Sequence, residues 1–157
     1  MTGTLSSSGG GTPVAVSSVC GSNTWSATAN TTSLNDGTVT LNLDHADIAG
    51  NSISDNRSFN KDTLVPTFTI TSPASMTMFN ASNYNSLSIS GTCNKASATM
   101  TLSGDVSGTL STTCNGTNFS LSGLTLTGAD GTRTITATLS DGAGNSTQAN
   151  LNLQKDI

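Results

Sequence analysis

The chain has 157 residues, of which only 9% are charged and 4% aromatic, and its net charge at pH 7 is −4. An ordinary soluble domain is about 25% charged, so this composition is unusual. Its five basic residues are scattered, which leaves no positive patch for nucleic acid. No apolar run reaches the roughly 20 residues that insert into a membrane. Ser and Thr make up about a third of the chain, which favours short strands and tight turns.

The first thirty residues carry weak signals. Residues 6–11 are Ser and Gly, which predicts a flexible loop. Residues 13–16 predict a strand that ends near Cys20. The next alternating segment predicts a second strand with three inward-facing residues: Trp25, Ala27 and Ala29.

A clearer strand follows the Asp36-Gly37 turn signal, because Val39, Leu41 and Leu43 alternate with polar residues. Residues 47–51 reverse the chain into a strand predicted over 52–60. Its inward positions include Asp55 and Arg57, which suits either a bulge that shifts the register or an ion pair at the margin of a sheet. Residues 61–66 form a short linker that Pro66 should stiffen.

The remaining residues show a fuller series of short alternating segments with turn signals every 8–12 residues. A polar loop is predicted from residue 74 to residue 85. This pattern is typical of an immunoglobulin-like β-sandwich, and no segment has helical periodicity. The strands are predicted around residues 68–70, 87–93, 98–102, 110–114, 119–126, 131–139 and 149–153.

The chain also repeats itself. Residues 35–52 resemble residues 129–146 at an offset of 94, which also carries Cys20 onto Cys114 and Trp25 onto Phe119. The repeat predicts two tandem β-sandwich units, residues 1–62 and 63–157. At this offset the first unit lacks counterparts of two strands. Either the chain was cut from a longer protein, with Met1 a non-native start, or a second chain supplies the strands by donor-strand exchange.

The cysteines bear on the redox compartment. Cys93 and Cys114 lie at predicted strand ends in one unit, where they form either a disulfide bond or two buried thiols. A disulfide would place the protein in an oxidising, extracytoplasmic compartment. Cys20 has no partner in the chain. It is a poor candidate for a catalytic thiol, because the single histidine, His45, aligns with the core-like Leu139.

No constellation for catalysis is present, so we expect no enzyme activity. The sequence has no His/Cys metal spacing, no phosphate-binding Gly loop and no Gly-x-Ser-x-Gly motif. Calcium is the one ligand worth considering, because carboxylates near the ends of the units, at Asp47, Asp62 and Asp141, could bind it. The default role of such residues is to cap their own turns.

Several motifs together resemble the tandem bacterial immunoglobulin-like repeats of large secreted and cell-surface proteins. With its cysteines, the chain resembles the cysteine-bearing variant of these repeats, found in surface proteins and fibres of predatory and related environmental bacteria. The resemblance covers residues 64–157 and the later two-thirds of residues 1–62. It rests on residues 89–93, 102–105, 130–132, 141–146 and 155–156.

The resemblance implies an extracellular, non-catalytic stalk, spacer or adhesive module. Its partners would be neighbouring immunoglobulin-like domains, with a second copy of the chain as a further candidate. The alternative is a fibre-tip module, in which the Ser/Gly-rich start and the loop from Met76 to Tyr84 contact a glycan or a cell-surface protein. An accessory domain of a carbohydrate-active enzyme is disfavoured, because Trp25 aligns with the core-like Phe119 and leaves no aromatic platform.

Overall fold

The structure is a computed structural model that describes residues 1–22 and 24–157. Every regular element in these residues is a β-strand, and the thirteen strands form three sheets. The fold is therefore all-β and sandwich-like. No helix in the described residues is long and apolar enough to cross a membrane.

The chain divides into two compact units, which we call the N-terminal unit (Met1–Leu64) and the C-terminal unit (Val65–Ile157). The repeat placed this boundary two residues earlier. Lys61 belongs to a strand of the N-terminal unit, so the linking residues are fewer than expected.

The N-terminal unit contains one antiparallel sheet with the strand order β2-β1-β3-β4. Its core is small: Leu5, Leu34 and Val39 are buried together, with four partly buried residues against them. The strands are β1 (Thr2–Ser7), β2 (Val14–Ser17), β3 (Gly37–Ala46) and β4 (Ser52–Lys61).

The sequence did not predict β1, and the flexible loop expected at residues 6–11 is wrong at its start, because Ser6 and Ser7 belong to this strand. The six residues of β1 include one apolar side chain, Leu5, so no alternation is visible in the sequence. Leu5 lies opposite Leu41 of β3 and is 6% exposed. Pairing with a strongly patterned neighbour therefore forms this strand.

The predicted strand around Val39 to Leu43 is confirmed as β3, and the strand after residue 51 as β4. Their pairing runs without interruption over ten residue pairs, so no bulge occurs. Instead, Arg57 Nη1 lies 2.9 Å from Asp55 Oδ1 in an exposed ion pair on the edge strand. The second explanation, an ion pair at the sheet margin, is thus the one observed.

The strand expected around Trp25 is wrong. Residues 25–31 have no regular secondary structure, although Ala29 packs partly against the small core. At the offset of 94, this segment aligns with a strand of the C-terminal unit that is paired on both sides (β11, below). In the described residues the N-terminal unit has no second sheet to provide such neighbours, so the alternating pattern alone does not form a strand.

The C-terminal unit contains two sheets, with the orders β10-β8-β12-β13-β6 and β5-β7-β11-β9. All seven predicted strands are present. Two further short strands, β6 and β9, were not predicted, and β6 lies inside the expected polar loop. The strands are β5 (Phe68–Ser72), β6 (Met78–Asn80), β7 (Leu87–Cys93), β8 (Thr99–Gly104), β9 (Val106–Ser107), β10 (Ser111–Thr113), β11 (Asn118–Leu126), β12 (Gly131–Ser140) and β13 (Ser146–Asp156).

Seventeen buried residues drawn from both sheets form the core of the C-terminal unit. Phe119 of β11 is 3% exposed and meets the Phe68 ring edge-on, with ring centroids 6.1 Å apart. The Phe119 ring also covers Gly91 of β7. A Cβ atom added at Gly91 would lie 2.0 Å from the Thr69 carbonyl oxygen and 2.8 Å from the ring. Close packing therefore requires glycine at this position.

Candidate functional site

Cys93 and Cys114 form a disulfide bond, as one of the two sequence interpretations predicted, and the alternative of two free thiols is wrong. Cys93 ends β7 and Cys114 follows β10, so the bond joins one sheet of the C-terminal unit to the other. Both residues are buried, at 6% and 2% exposure. The bond spans 21 positions of sequence and restrains the unfolded chain accordingly.

Cys20 is a free and exposed thiol. It follows β2, as Cys114 follows β10, and these two strands occupy the same place at the end of their sheets. The partner of Cys114 lies on β7, in the second sheet of the C-terminal unit. In the described residues the N-terminal unit has one sheet, so it has no strand equivalent to β7 that could place a second cysteine beside Cys20.

Asp141 organises the turn between β12 and β13. Its carboxylate accepts hydrogen bonds from the backbone N–H groups of Ala143 and Asn145, each at 2.9 Å, and from Asn145 Nδ2 at 3.0 Å. The Lys95 ammonium donates a further bond at 2.6 Å. The Asp141 side chain is only 3% exposed. Lys95, followed by the Asn145 amide, holds the pKa of this carboxyl well below its usual range.

Asp47 plays the same part in the turn between β3 and β4. Its carboxylate accepts bonds from the Asn51 backbone N–H at 2.9 Å and from Asn51 Nδ2 at 2.8 Å. These bonds, the side-chain one first, lower the pKa of Asp47. Both aspartates thus cap their own turns, which is the default role expected of them in the sequence analysis.

The structure does not gather the three carboxylates suggested for calcium. Asp47 and Asp62 flank opposite ends of the β3–β4 hairpin, and ten residues of strand separate such ends by about 30 Å. Asp62 Oδ1 accepts a bond from the Leu64 N–H at 3.1 Å. Within residues 1–22 and 24–157, no group of three or more His, Cys, Asp or Glu residues could hold a metal ion. Calcium binding stays a prediction without geometric support.

The two long hairpins have the same register. At the open end of the first, Gly37 lies opposite Lys61; at the open end of the second, Gly131 lies opposite Lys155. Each residue of the second pair follows its equivalent by 94 positions, and the offset holds for all ten pairs. The turn bonds of Asp47 and Asp141 repeat at the same offset. The repeated sequence therefore specifies a repeated local structure.

Two lysines at the open ends of the hairpins make equivalent contacts that sequence reasoning missed. Lys155 is 7% exposed, and its ammonium donates to the Gly128 carbonyl oxygen at 2.6 Å and lies 5.1 Å from the centre of the Tyr84 ring. Lys61 donates to the Leu34 carbonyl oxygen, the position equivalent to Gly128. The signal was present, because both lysines recur at the offset of 94. A buried lysine is costly unless its ammonium is bonded in this way.

The alignment of Trp25 with Phe119 does not extend to their surroundings. Trp25 is 39% exposed, whereas Phe119 is 3% exposed. Trp25 lies beside Val16, Ala27 and Leu43 in a shallow apolar depression of the N-terminal unit. The argument against an aromatic platform, which assumed a buried Trp25, is therefore wrong in that step.

The other aromatic residues do not form an exposed face within either unit. In the C-terminal unit, Phe68 packs on Phe119 and Tyr84 lies under Lys155. In the N-terminal unit, Phe59 is half-exposed on β4. The segment from Met76 to Tyr84, suggested for ligand contact, contains β6 and exposes two methionines. Comparison with known proteins adds no assignment, because no family model and no curated protein matches the chain.

Proposed function

We propose that the chain is a non-catalytic structural module of a bacterial cell-surface or secreted fibre protein, built as a stalk or spacer of tandem immunoglobulin-like units. One observation carries the proposal: two hairpins 94 residues apart share their register and their turn contacts. Duplicated scaffolds of this kind suit proteins that act as spacers, because each added unit lengthens the protein by a similar amount. The carboxylates of Asp47, Asp62 and Asp141 accept hydrogen bonds from backbone N–H groups a few residues further along the chain.

The C-terminal unit has a geometry suited to bearing tension. Its early strand β6 runs parallel to its last strand β13, with Met78 opposite Gln154. The Met76 N–H donates to the Asn152 carbonyl at 2.7 Å, and the Gln154 N–H donates to the Thr77 carbonyl at 3.0 Å. Once β5 has detached from β7, pulling the two ends of the unit apart draws β6 and β13 in opposite directions along their length, so these bonds are loaded in shear and resist together. This arrangement favours a load-bearing role.

The disulfide supports an extracytoplasmic location, since such bonds persist in oxidising compartments. It also limits how far the unit can extend. When the unit unfolds under force, the 21 positions between Cys93 and Cys114 stay closed. Reduction releases this segment, which adds about 75 Å of contour length at about 3.6 Å per residue.

Single-molecule force spectroscopy on the whole chain tests the proposal. We expect a distinct unfolding peak for the C-terminal unit, with a contour step that lengthens by about 75 Å after reduction. The matched control is Cys20→Ser, which should leave both the peak and the step unchanged. Extension of the C-terminal unit at negligible force would contradict a load-bearing role.

A further inference from the structure

The exposed edge of β4 has the properties of a self-association surface. β4 is the last strand of its sheet and has no partner on its outer side in the described residues. Its ten residues are exposed except Lys61, which is half-buried, and its pairing with β3 has no bulge. The equivalent strand, β13, is covered on the corresponding side by β6. A long, regular, uncovered edge is a template for another strand.

The backbone groups of the even-numbered residues of β4 point outward. In the adjoining turn, the Asp47 N–H donates to the Asn51 carbonyl, which places the odd-numbered residues in the hydrogen-bonded pairs with β3. The even-numbered residues then direct their N–H and C=O groups away from β3. β13 shows the same phase, since Asn152 and Gln154, which correspond to residues 58 and 60, bond to the segment leading into β6.

The sequence of β4 is complementary to itself. When a second copy of β4 is laid antiparallel to the first with the two Asn56 residues facing each other, Asp55 lies opposite Arg57, Ser54 opposite Ser58, and Ile53 opposite Phe59. Opposite charges and apolar pairs are the cross-strand combinations that stabilise an antiparallel sheet. The neighbouring registers, in which the two-fold axis passes through residue 55 or residue 57, are unfavourable. They place Asp55 opposite Asp55 or Arg57 opposite Arg57.

The four side chains concerned are exposed. Within one chain, Arg57 donates to Asp55 and to the Asn56 carbonyl oxygen, and Asp55 accepts from the Asn56 N–H, so pairing of two copies exchanges these bonds for equivalent bonds between the copies. Ile53 is 69% exposed and Phe59 is 50% exposed. The side chains of Arg57 and Asp55 are 74% and 57% exposed. All four lie on one face of β4, since they are at odd-numbered positions. Their N–H and C=O groups point toward β3, so across the outer edge they would form non-hydrogen-bonded pairs with the second copy, in which facing side chains are closest.

We propose that two copies of this chain associate by antiparallel pairing of their β4 strands about a two-fold axis at Asn56, which joins two four-stranded sheets into one of eight strands. The interface is isologous, so each copy supplies Asp55 to the partner's Arg57 and receives the reverse contact. It differs from donor-strand exchange, because no strand leaves its own sheet. The inference is independent of the spacer role.

Sedimentation velocity over a range of concentrations tests the pairing with charge variants of the full chain. The wild type should change from one to two copies as concentration rises. Asp55→Arg and Arg57→Asp should each weaken self-association at least tenfold, because like charges then face one another. An equimolar mixture of the two variants should regain a dimer, because each supplies the charge that the other requires.

Cysteine trapping tests the register. In a Cys20→Ser background, the variant Ile53→Cys/Phe59→Cys should form a disulfide-linked dimer under mild oxidation, since facing Cα atoms in such pairs are about 4.5 Å apart. Ile53→Cys alone should not. Circular dichroism confirms that each variant is folded. The proposal is overturned by a wild type that stays monomeric at all concentrations, or by association that the charge reversals do not change.

Discussion

Removing the disulfide of the C-terminal unit should cost a predictable amount of stability. The bond between Cys93 and Cys114 spans 21 positions, for which the loss of unfolded-chain entropy corresponds to about 3 kcal/mol at 25 °C. The double variant Cys93→Ala/Cys114→Ala also removes two buried sulfur atoms, which adds a smaller loss in the same direction. For a unit of this size, 3 kcal/mol corresponds to a fall in melting temperature of about 15 °C.

The assay is urea unfolding followed by far-UV circular dichroism, with Trp25 fluorescence as a separate probe of the N-terminal unit, because the chain has one tryptophan. We expect the transition of the C-terminal unit to move to lower urea while the Trp25 transition stays in place. Cys20→Ser alone is the control and should change neither transition. A loss below about 1 kcal/mol would refute the reasoning, since the closed loop would then contribute little to stability.

Three further predictions follow from single residues. Asp141→Asn should lower the melting temperature at neutral pH, and by more than Asp47→Asn does. Because the pKa of Asp141 is depressed in the folded state, its carboxylate stabilises that state above the unfolded pKa, near 3.8, and loses this effect as the pH falls below it. The variant should therefore lose less stability than the wild type on acidification. Gly91→Ala should destabilise the C-terminal unit by about 1–3 kcal/mol in chemical denaturation, whereas Gly142→Ala, where an added Cβ meets nothing within 4 Å, should be nearly neutral. Trp25 fluorescence should be quenched by acrylamide in the native state, and strong protection would contradict its exposed position.

The strands with regular alternation could be predicted from the sequence. β3, β7 and β12 place apolar side chains at alternate positions, and β11 does so on either side of an irregularity between Leu121 and Leu124. A half-buried strand requires such alternation. The disulfide could also be anticipated, although the sequence left free thiols open. These features depend on residues close in sequence or on one repeated offset.

The features that could not be predicted from the sequence depend on contacts between residues far apart in the chain. β1 is polar except for Leu5 and is a strand because β3 lies beside it. The segment around Trp25 has the pattern of a strand, but the part of the chain that the structure describes places no strands beside it equivalent to the two that pair with β11. The contact between Lys95 and Asp141 joins residues 46 positions apart, and no local signal in the sequence connects them.

The central claim is that both units contain the same hairpin and that, among residues 1–22 and 24–157, only those of the C-terminal unit pack a second sheet against it. Native-state hydrogen exchange, read by mass spectrometry, tests this most directly. We predict the slowest exchange in residues 87–93, 118–126 and 131–140, intermediate exchange in β3, and rapid exchange in residues 25–31. Protection of residues 25–31 equal to that of residues 118–126 would contradict the claim, because it would require strands beside them that the described sheet does not contain.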